Sequence, residues 1–242
     1  MSVNAQAGAK GRQLHKFGGS SLADAKCYLR VAGIMKEYSQ AGDMMVVSAA
    51  GSTTNQLISW LKLSQSDRLA AHQVQQSLRR YHTELIGGLL EPAAADTLIA
   101  AFIHDLERLA GLLDGGVSEA VYAEVVGHGE VWSARLMAAV LNQLGMEAAW
   151  LDARAFLRAE RAAQPQVDEG LSYPLLQQLM AQHPNKRLVV TGFISRNQAG
   201  ETVLLGRNGS DYSATQIGAL AGASRVTIWS DVAGVYLSLI HI

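Results

Sequence analysis

The chain has a single cysteine, Cys27, among its 242 residues. An internal disulfide is therefore impossible, and this cysteine usage is typical of cytoplasmic proteins, so we expect a cytoplasmic location. No apolar run approaches the ~20 residues that a membrane-spanning helix needs, which predicts no membrane as a partner. Residues 1–12 are small and polar without an apolar core, so we interpret them as a flexible leader and not as a signal peptide.

An excess of charge of either sign is also absent. The formal net charge is −1, so no basic field is available to hold a nucleic acid, and we expect no nucleic-acid partner. The seven histidines are scattered without the spacing of metal ligands, and no dedicated metal site is predicted. No G-x-x-x-x-G-K-[ST] string occurs, which excludes the common P-loop.

What the chain does contain is an alternation of apolar strands and amphipathic helices. Several strand-like runs are continuously apolar, which is typical of strands buried on both faces of a parallel sheet. The pattern predicts an α/β sandwich, with helices on both faces of a mostly parallel sheet. The predicted strands are Gln13–Phe17, Asp43–Ser48, Glu147–Leu151, Arg187–Thr191, Glu201–Leu205 and Arg225–Trp229. The predicted helices are Leu22–Tyr38, Thr54–Leu63, Ser66–Leu90, Ala93–Leu113, Val117–Leu144, Tyr173–Gln182 and Tyr212–Ala221, with Gly145 and Gly222 as helix stops.

The domain organisation follows from the same pattern. No repeat, low-complexity tract or linker rich in proline and glycine divides the chain, so we expect a single unit. Its long helical stretch, about residues 66–144, should form a lid or flank over the sheet.

The loop at residues 204–215 is the most informative stretch of the sequence. It carries glycine, Ser210 and Asp211 at the start of a helix, where free backbone N–H groups and the positive end of the helix dipole favour a phosphate. Arg207, just upstream, can fork two hydrogen bonds onto a carboxylate or a phosphate. The alternative is an ordinary turn with Asp211 as the helix N-cap.

A second glycine loop follows the first predicted strand. Gly18 and Gly19 let the backbone approach a ligand closely, and Ser20 or Ser21 can cap the following helix. Lys16 at the end of the strand should project toward the same space as a compact positive charge. An ordinary strand-to-helix turn remains the alternative for this loop as well.

Other polar side chains lie where predicted strands end or helices begin, and ligands of open α/β sheets bind at the carboxyl ends of the strands. Ser48 and Thr54 could donate hydrogen bonds to a carboxylate, although they would look the same as helix caps. Glu130 could receive an ammonium group or simply complement a helix dipole. Phe193 ends a strand with an aromatic ring.

The last predicted strand ends in a loop with Ser230, Asp231 and Tyr236. Such a loop can hold ribose hydroxyls and flank an adenine ring, or it can be only a turn.

Five of these motifs together resemble the aspartate kinases of the amino acid kinase superfamily, which has a three-layer α/β/α fold. They occur in the order and spacing of that family and span about residues 13–236. The five motifs are residues 16–21, 48–55, 129–130, 206–214 and 230–236. The leader and residues 121–132 are similar to the kinase portion of the methionine-linked bifunctional aspartokinase/homoserine dehydrogenases.

The resemblance implies transfer of the ATP γ-phosphoryl group to the side-chain carboxylate of L-aspartate, giving 4-phospho-L-aspartate for biosynthesis of the aspartate family of amino acids. Lys16 would neutralise charge on the transferring group and Asp211 would organise that lysine. The substrate-binding residues implied are Ser48, Thr54, Glu130 for the ammonium, Phe193, Arg207 for the α-carboxylate, and Ser210. The nucleotide-binding residues implied are Gly18, Gly19, Ser20, Ser230, Asp231 and Tyr236.

ATP with Mg²⁺ is the implied cofactor, with the metal held mainly by the phosphates. A full-length relative is expected to be a homo-oligomer. Residues 237–242 match nothing in the family, so we interpret them as a truncated or misread coding end. We therefore expect the chain to have little or no kinase activity and to lack the dehydrogenase part.

Two other functions remain open at this point. A sister kinase of the same fold could use glutamate, acetylglutamate, carbamate or a nucleoside monophosphate, although Glu130 with Arg207 suits an acceptor with a free ammonium and an α-carboxylate. A non-catalytic module could bind aspartate or a nucleotide without turnover. A dinucleotide-binding domain fits poorly, because Gly127 and Gly129 are not completed by a third glycine.

Overall fold

The computed structural model of the chain describes residues 11–230. The predictions for Asp231, Tyr236, the tail 237–242 and most of the leader lie outside the described residues.

The described part of the chain alternates between strands and helices. The strands are β1 (Gln13–Phe17), β2 (Met44–Val47), β3 (Ala148–Leu151), β4 (Arg187–Thr191), β5 (Ile194–Arg196), β6 (Thr202–Leu204) and β7 (Arg225–Trp229). The helices are α1 (Ala25–Tyr38), α2 (Thr53–Ser64), α3 (Arg68–Gly87), α4 (Pro92–Asp114), α5 (Glu119–Val126), α6 (His128–Gln143), α7 (Glu169–Gln182) and α8 (Gly209–Leu220). Two short 3-10 turns cover Ser20–Leu22 and Ala153–Ala155.

Five parallel strands form the central sheet, in the order β3-β4-β2-β1-β7. Every residue of β2 is buried, and β4 is buried except at its first residue. Their apolar runs therefore reflect cover on both faces, as the sequence predicted. Helices α1 and α6 pack on one face, and α8 with α7 beside it packs on the other.

The alternation of side chains along β1 sets up the functional edge. Phe17 belongs to the apolar core under α1 and α6, whereas Leu14 belongs to the core under α8. Lys16 lies two residues after Leu14, so its side chain points to the same face, toward α8.

The helical flank predicted over residues 66–144 is made mainly of α3 and α4, which pack with α2 beside the sheet. Its core is continuous with the core under α1 and α6, through residues such as Leu78, Leu85, Phe102 and Leu109. Within the described residues, no helix combines the length and apolarity that crossing a membrane requires.

Three local predictions were wrong. The first helix begins at Ala25 and not at Leu22, because Asp24 caps it by accepting a 2.8 Å hydrogen bond from the Cys27 N–H. Neither Ser20 nor Ser21 is the cap. The predicted helix Val117–Leu144 is two helices that meet at Gly127.

The third error concerns the predicted strand at residues 201–205. It is β6, and it pairs with β5 in a separate antiparallel hairpin instead of joining the central sheet. Strand β5 has only three residues and was not predicted.

Turns of left-handed backbone precede four of the five parallel strands. Gly145 (φ 76°) and Gly222 (φ 63°) end helices, as predicted, and Gly42 and Asn185 occupy comparable positions before β2 and β4. All four turns lie at the amino edge of the sheet, opposite the edge where the polar loops gather. Arg12 ties this edge together by donating to the carbonyls of Gly42 and Ala221.

Candidate active site

Lys16 and Asp211 form an ion pair at the carboxyl edge of the sheet. The Lys16 Nζ lies 2.6 Å from the Asp211 Oδ1. Lys16 is contributed by the end of β1 and Asp211 by the first turn of α8. The two glycine loops that the sequence singled out therefore converge on one place.

The pair opens into a cleft of about 330 Å³. Its walls come from the loops after β1, β2 and β4 and from the first turns of α2, α6 and α8. The lining residues are Lys16, Gly18, Gly19, Ser48, Ala49, Gly51, Thr54, Glu130, Phe193, Gly206, Asn208, Gly209, Ser210 and Asp211.

The start of α8 points into this cleft. Asn208 caps the helix in the left-handed conformation (φ 58°), and Asp211 lies in the first turn. The alternative that Asp211 is the N-cap is therefore wrong. The helix begins at Gly209, where a Cβ would lie 2.6 Å from the Phe193 ring, so only glycine permits this contact. The positive end of the helix dipole and its first N–H groups are thus directed at whatever occupies the cleft.

The loops after β1 and β2 contact each other through their backbones. The Gly51 N–H donates to the Gly19 carbonyl at 2.9 Å. A Cβ on Gly19 would lie 2.8 Å from the Ala49 carbonyl oxygen, so a side chain there would push the two loops apart. Gly18 lies beneath the ammonium of Lys16, with 3.6 Å between Nζ and the position of a Cβ. A ligand gripped by one loop is therefore next to the other.

Glu130 is a buried carboxyl group in the wall of the cleft. It lies in the first turn of α6 and is only 3% exposed. Burial raises its pKa to about 8, even though backbone N–H groups of Ala49 and of Glu130 itself oppose the shift. Its Oε2 has no hydrogen-bond partner among the described residues. A buried carboxyl with one oxygen lacking a partner can accept a cation that arrives with a ligand.

The structure brings together most, but not all, of the predicted site residues. Arg207 and Ser20 are exposed and do not line the cleft, and neither does Ser230 at the end of β7. Arg207 does lie between two residues that line it, Gly206 and Asn208.

Sequence reasoning also missed some lining residues, among them Ala49, Gly51 and Asn208. The Asn208-Gly209 dipeptide was a usable signal, because asparagine before glycine is typical of left-handed turns.

The match to a family model covers residues 11–238, almost the whole chain, and that model describes the amino acid kinase family. The chain belongs to the amino acid kinase family. This confirms the family resemblance and the predicted fold class.

Individual relatives of the chain are aspartokinases or contain an aspartokinase part. It is 85% identical over 236 residues to bifunctional aspartokinase/homoserine dehydrogenase 2 of Escherichia coli strain K12, which covers 98% of this chain and 29% of that protein. It is 31% identical to lysine-sensitive aspartokinase 3 of the same strain, over 91% of this chain and 49% of that protein. The chain thus spans half or less of the length of these relatives.

A solved structure of a related protein has the same fold as this chain. The crystal structure of E. coli aspartokinase III in complex with aspartate and ADP superimposes with a TM-score of 0.85 at 28% identity. The match covers 93% of this chain and 50% of that one. The three-layer arrangement of the amino acid kinase family is therefore present over the described residues.

Proposed function

We propose that this chain is the catalytic part of an aspartate kinase, which transfers the γ-phosphoryl group of ATP to the side-chain carboxylate of L-aspartate. The observation that carries the proposal is the placement of the Lys16–Asp211 pair and the buried carboxyl of Glu130 in one cleft. The Lys16–Asp211 pair presents a positive charge to a phosphoryl group. The carboxyl of Glu130 can accept the ammonium group of an amino acid. High identity to an aspartokinase supports the same substrate.

The donor side of the reaction is electrostatic. The phosphates of ATP meet the Lys16 ammonium, the backbone of Gly18 and Gly19, and the N-terminus of α8. Asp211 holds the Lys16 ammonium in place at 2.6 Å, so the positive charge is fixed where negative charge builds up in the transition state. Ser230, Asp231 and Tyr236 are proposed to face the rest of the nucleotide.

On the acceptor side, the protein has to position the aspartate. Glu130 is proposed to accept the ammonium of aspartate, and Ser48 and Thr54 to seat its carboxylates beside Phe193 and Ser210. A carboxylate is already a nucleophile at neutral pH, so the reaction needs no general base. The protein has to hold two anions in line and screen their repulsion. Arg207 would turn from the surface loop to bind the α-carboxylate with its planar fork.

Magnesium fits the site as a companion of the nucleotide. Within residues 11–230, no group of three or more His, Cys, Asp or Glu side chains could hold a metal ion. Of the two carboxylates in the cleft, Asp211 is already paired with Lys16. We therefore propose that Mg²⁺ is bound mainly by phosphate oxygens, where it neutralises charge on the transferring group.

The first test is aspartate-dependent release of ADP by the purified chain, with hydroxylamine added to trap the acyl phosphate. We expect any release, which should be slow for this 242-residue chain, to occur with aspartate and not with glutamate, acetylglutamate, carbamate or uridine monophosphate. Turnover of one of those acceptors instead would favour a sister kinase. Binding of aspartate and ATP by calorimetry without any turnover would favour a non-catalytic module.

The roles are tested by paired lysine variants. Lys16→Ala should lower kcat by at least ~100-fold, because it removes a fixed charge from the transition state. Lys26→Ala, at an exposed position on α1, is the matched control and should leave kcat unchanged. Equal rates for the two alanine variants would count against the donor site.

Arg207→Lys should raise the KM for aspartate, since the point charge of lysine cannot replace the planar fork of the arginine guanidinium.

A further inference from the structure

Two consecutive residues of the helical flank reach the two loops that form the cleft. Tyr81 and His82 lie on α3, far from the cleft edge in sequence. The Tyr81 hydroxyl donates to the Ala23 carbonyl at 3.0 Å, at the end of the loop after β1. The His82 Nε2 lies 3.1 Å from the Thr53 hydroxyl, at the end of the loop after β2.

The contact of His82 is fully buried and has one possible direction. His82 is 2% exposed and Thr53 is 0% exposed. Thr53 uses its only hydroxyl proton on the Ala50 carbonyl, 2.6 Å away. The histidine must therefore donate to the Thr53 oxygen, which requires a proton on Nε2. Burial lowers the pKa of His82 to about 3, so the ring is neutral and carries its single proton on that nitrogen.

Tyr81 adds a steric contact to its hydrogen bond. A Cβ on Gly51 would lie 3.0 Å from the Tyr81 hydroxyl oxygen, so this hydroxyl fills the space beside Gly51 of the second loop while it bonds the first. Burial raises the pKa of Tyr81 to about 12, so the hydroxyl keeps its proton and remains a donor. Gly51 is the residue whose N–H bonds the Gly19 carbonyl.

His82 also connects the loops to the helix that carries Glu130. Its ring packs edge-on against Trp132 of α6, with 5.0 Å between ring centroids. Trp132 lies two residues after Glu130 and is fixed by its indole N–H, which donates to Asp105 of α4.

We propose that Tyr81 and His82 are positioning residues that hold the loop after β1, the loop after β2 and the start of α6 in one fixed arrangement. They touch neither substrate; they act through Ala23, Thr53 and Trp132. The inference rests on the proposed function only for its effect on catalysis. The coupling between the loops does not depend on a bound substrate.

Hydrogen–deuterium exchange of the unliganded chain tests the coupling directly. Tyr81→Phe removes only the hydroxyl, and His82→Phe removes only the donor from an aromatic site. We expect either variant to speed exchange in peptides covering residues 18–24 and 49–54 together, while peptides of β3 and β4 stay unchanged. His82→Gln keeps an N–H donor near the position of Nε2 and should restore much of the protection. Tyr122→Phe, on α5 outside the cleft, is the matched control.

The kinetic readout separates positioning from general stability. Loss of one neutral hydrogen bond should raise the KM for aspartate about three- to tenfold, with a smaller change in kcat and partial recovery in His82→Gln. Faster exchange across the whole sheet, or in only one of the two loops, would overturn the proposal. An unchanged KM in both phenylalanine variants would overturn it too. If the chain neither bound nor turned over aspartate, the proposed function would fail while the exchange pattern still decided the coupling.

Discussion

At the scale of single residues, Glu130 is the clearest case of a side chain whose ionisation is set by burial. Its carboxyl is buried beside a cleft with one oxygen lacking a partner among residues 11–230, and burial raises its pKa to about 8. At neutral pH it is therefore mostly protonated before a ligand arrives. An incoming ammonium would favour the ionised form, so binding and proton release are linked.

This linkage gives a calorimetric prediction. Aspartate binding at pH 7 should release close to one proton from the protein, detected as a dependence of the binding enthalpy on the ionisation enthalpy of the buffer. Glu130→Gln should abolish the release and weaken binding. Glu107→Gln, at an exposed position of α4, should change neither. Proton uptake on binding, or release that persists in Glu130→Gln, would rule out this role.

At the scale of secondary-structure elements, the contact between α8 and the edge of the sheet depends on a missing side chain. A Cβ on Gly218 of α8 would lie 2.4 Å from the Val226 Cγ2 of β7. Because α8 also carries Asp211, the packing of this helix on the sheet determines where Asp211 lies relative to Lys16. A change in the α8–β7 contact would therefore move one partner of the ion pair.

Two alanine substitutions in helices should have opposite effects on stability. Gly218→Ala overpacks the α8–β7 contact and should lower the free energy of unfolding by ~1–3 kcal/mol. Gly33→Ala in α1 meets no atom within 4 Å and should raise it by ~0.5–1 kcal/mol through helix propensity. Urea denaturation followed by circular dichroism measures both. A Gly218→Ala chain as stable as the parent would show that α8 can shift without cost.

The elements that the sequence predicted well are those whose signal is local. β2 and β4 are continuous apolar runs, and the helix stops at Gly145 and Gly222 follow from glycine chemistry. The break at Gly127 was missed, because apolar residues continue on both sides of it. The structure shows why glycine stands there, since a Cβ would lie 2.5 Å from the Ile194 Cγ2. Strand β5 was too short for periodicity to indicate.

The candidate site divides in the same way. Lys16 and Asp211 share an edge because β1 ends there and because α8, which leads into the parallel strand β7, begins there. The motifs indicated this edge although β6, the strand before Asp211, lies outside the central sheet. The exposed position of Arg207 depends on the left-handed residues on either side of it, Gly206 and Asn208, which pattern does not resolve. Tyr81 and His82 resemble ordinary residues of an amphipathic helix. Only the packing of α3 against distant loops shows what they contact.

At the scale of the whole molecule, burial lowers the pKa of some ionisable groups and raises that of others, and both shifts make the free energy of unfolding depend on pH. Burial lowers the pKa of His82 to about 3, from 6.5. For Asp105 and Glu124 burial alone would raise the pKa, but His128 and Arg135 around the first and Arg154 and Thr202 around the second lower both to about 2. Among these carboxyls Glu130 is the exception, because burial raises its pKa.

The sign of each shift fixes the stability profile of the unliganded chain. A lowered pKa gives stability that is lost as pH falls, for His82 below about 6.5 and for the two acids below about 4. The raised pKa of Glu130 gives stability that is lost as pH rises from 4.5 to about 8. His82 and Glu130 oppose each other between 4.5 and 6.5, so we expect a flat optimum there.

Chemical denaturation between pH 3 and pH 9 measures this profile. Above pH 6.5 the free energy of unfolding should fall by up to ~1.4 kcal/mol per pH unit, and this fall should disappear in Glu130→Gln. Below pH 4 it should fall more steeply, in both proteins. A profile that rises from pH 6.5 to pH 8 would contradict the assignment of Glu130.

The turns at Gly42, Gly145, Asn185 and Gly222 lie on the side of the sheet away from the cleft. Because these turns and the cleft lie at opposite edges of the sheet, the turns are suitable positions for labels. A fluorophore or an affinity tag placed at these turns would lie across the full length of the strands from the cleft. This edge of the sheet is therefore the place where we would modify the chain without contacting the Lys16–Asp211 pair.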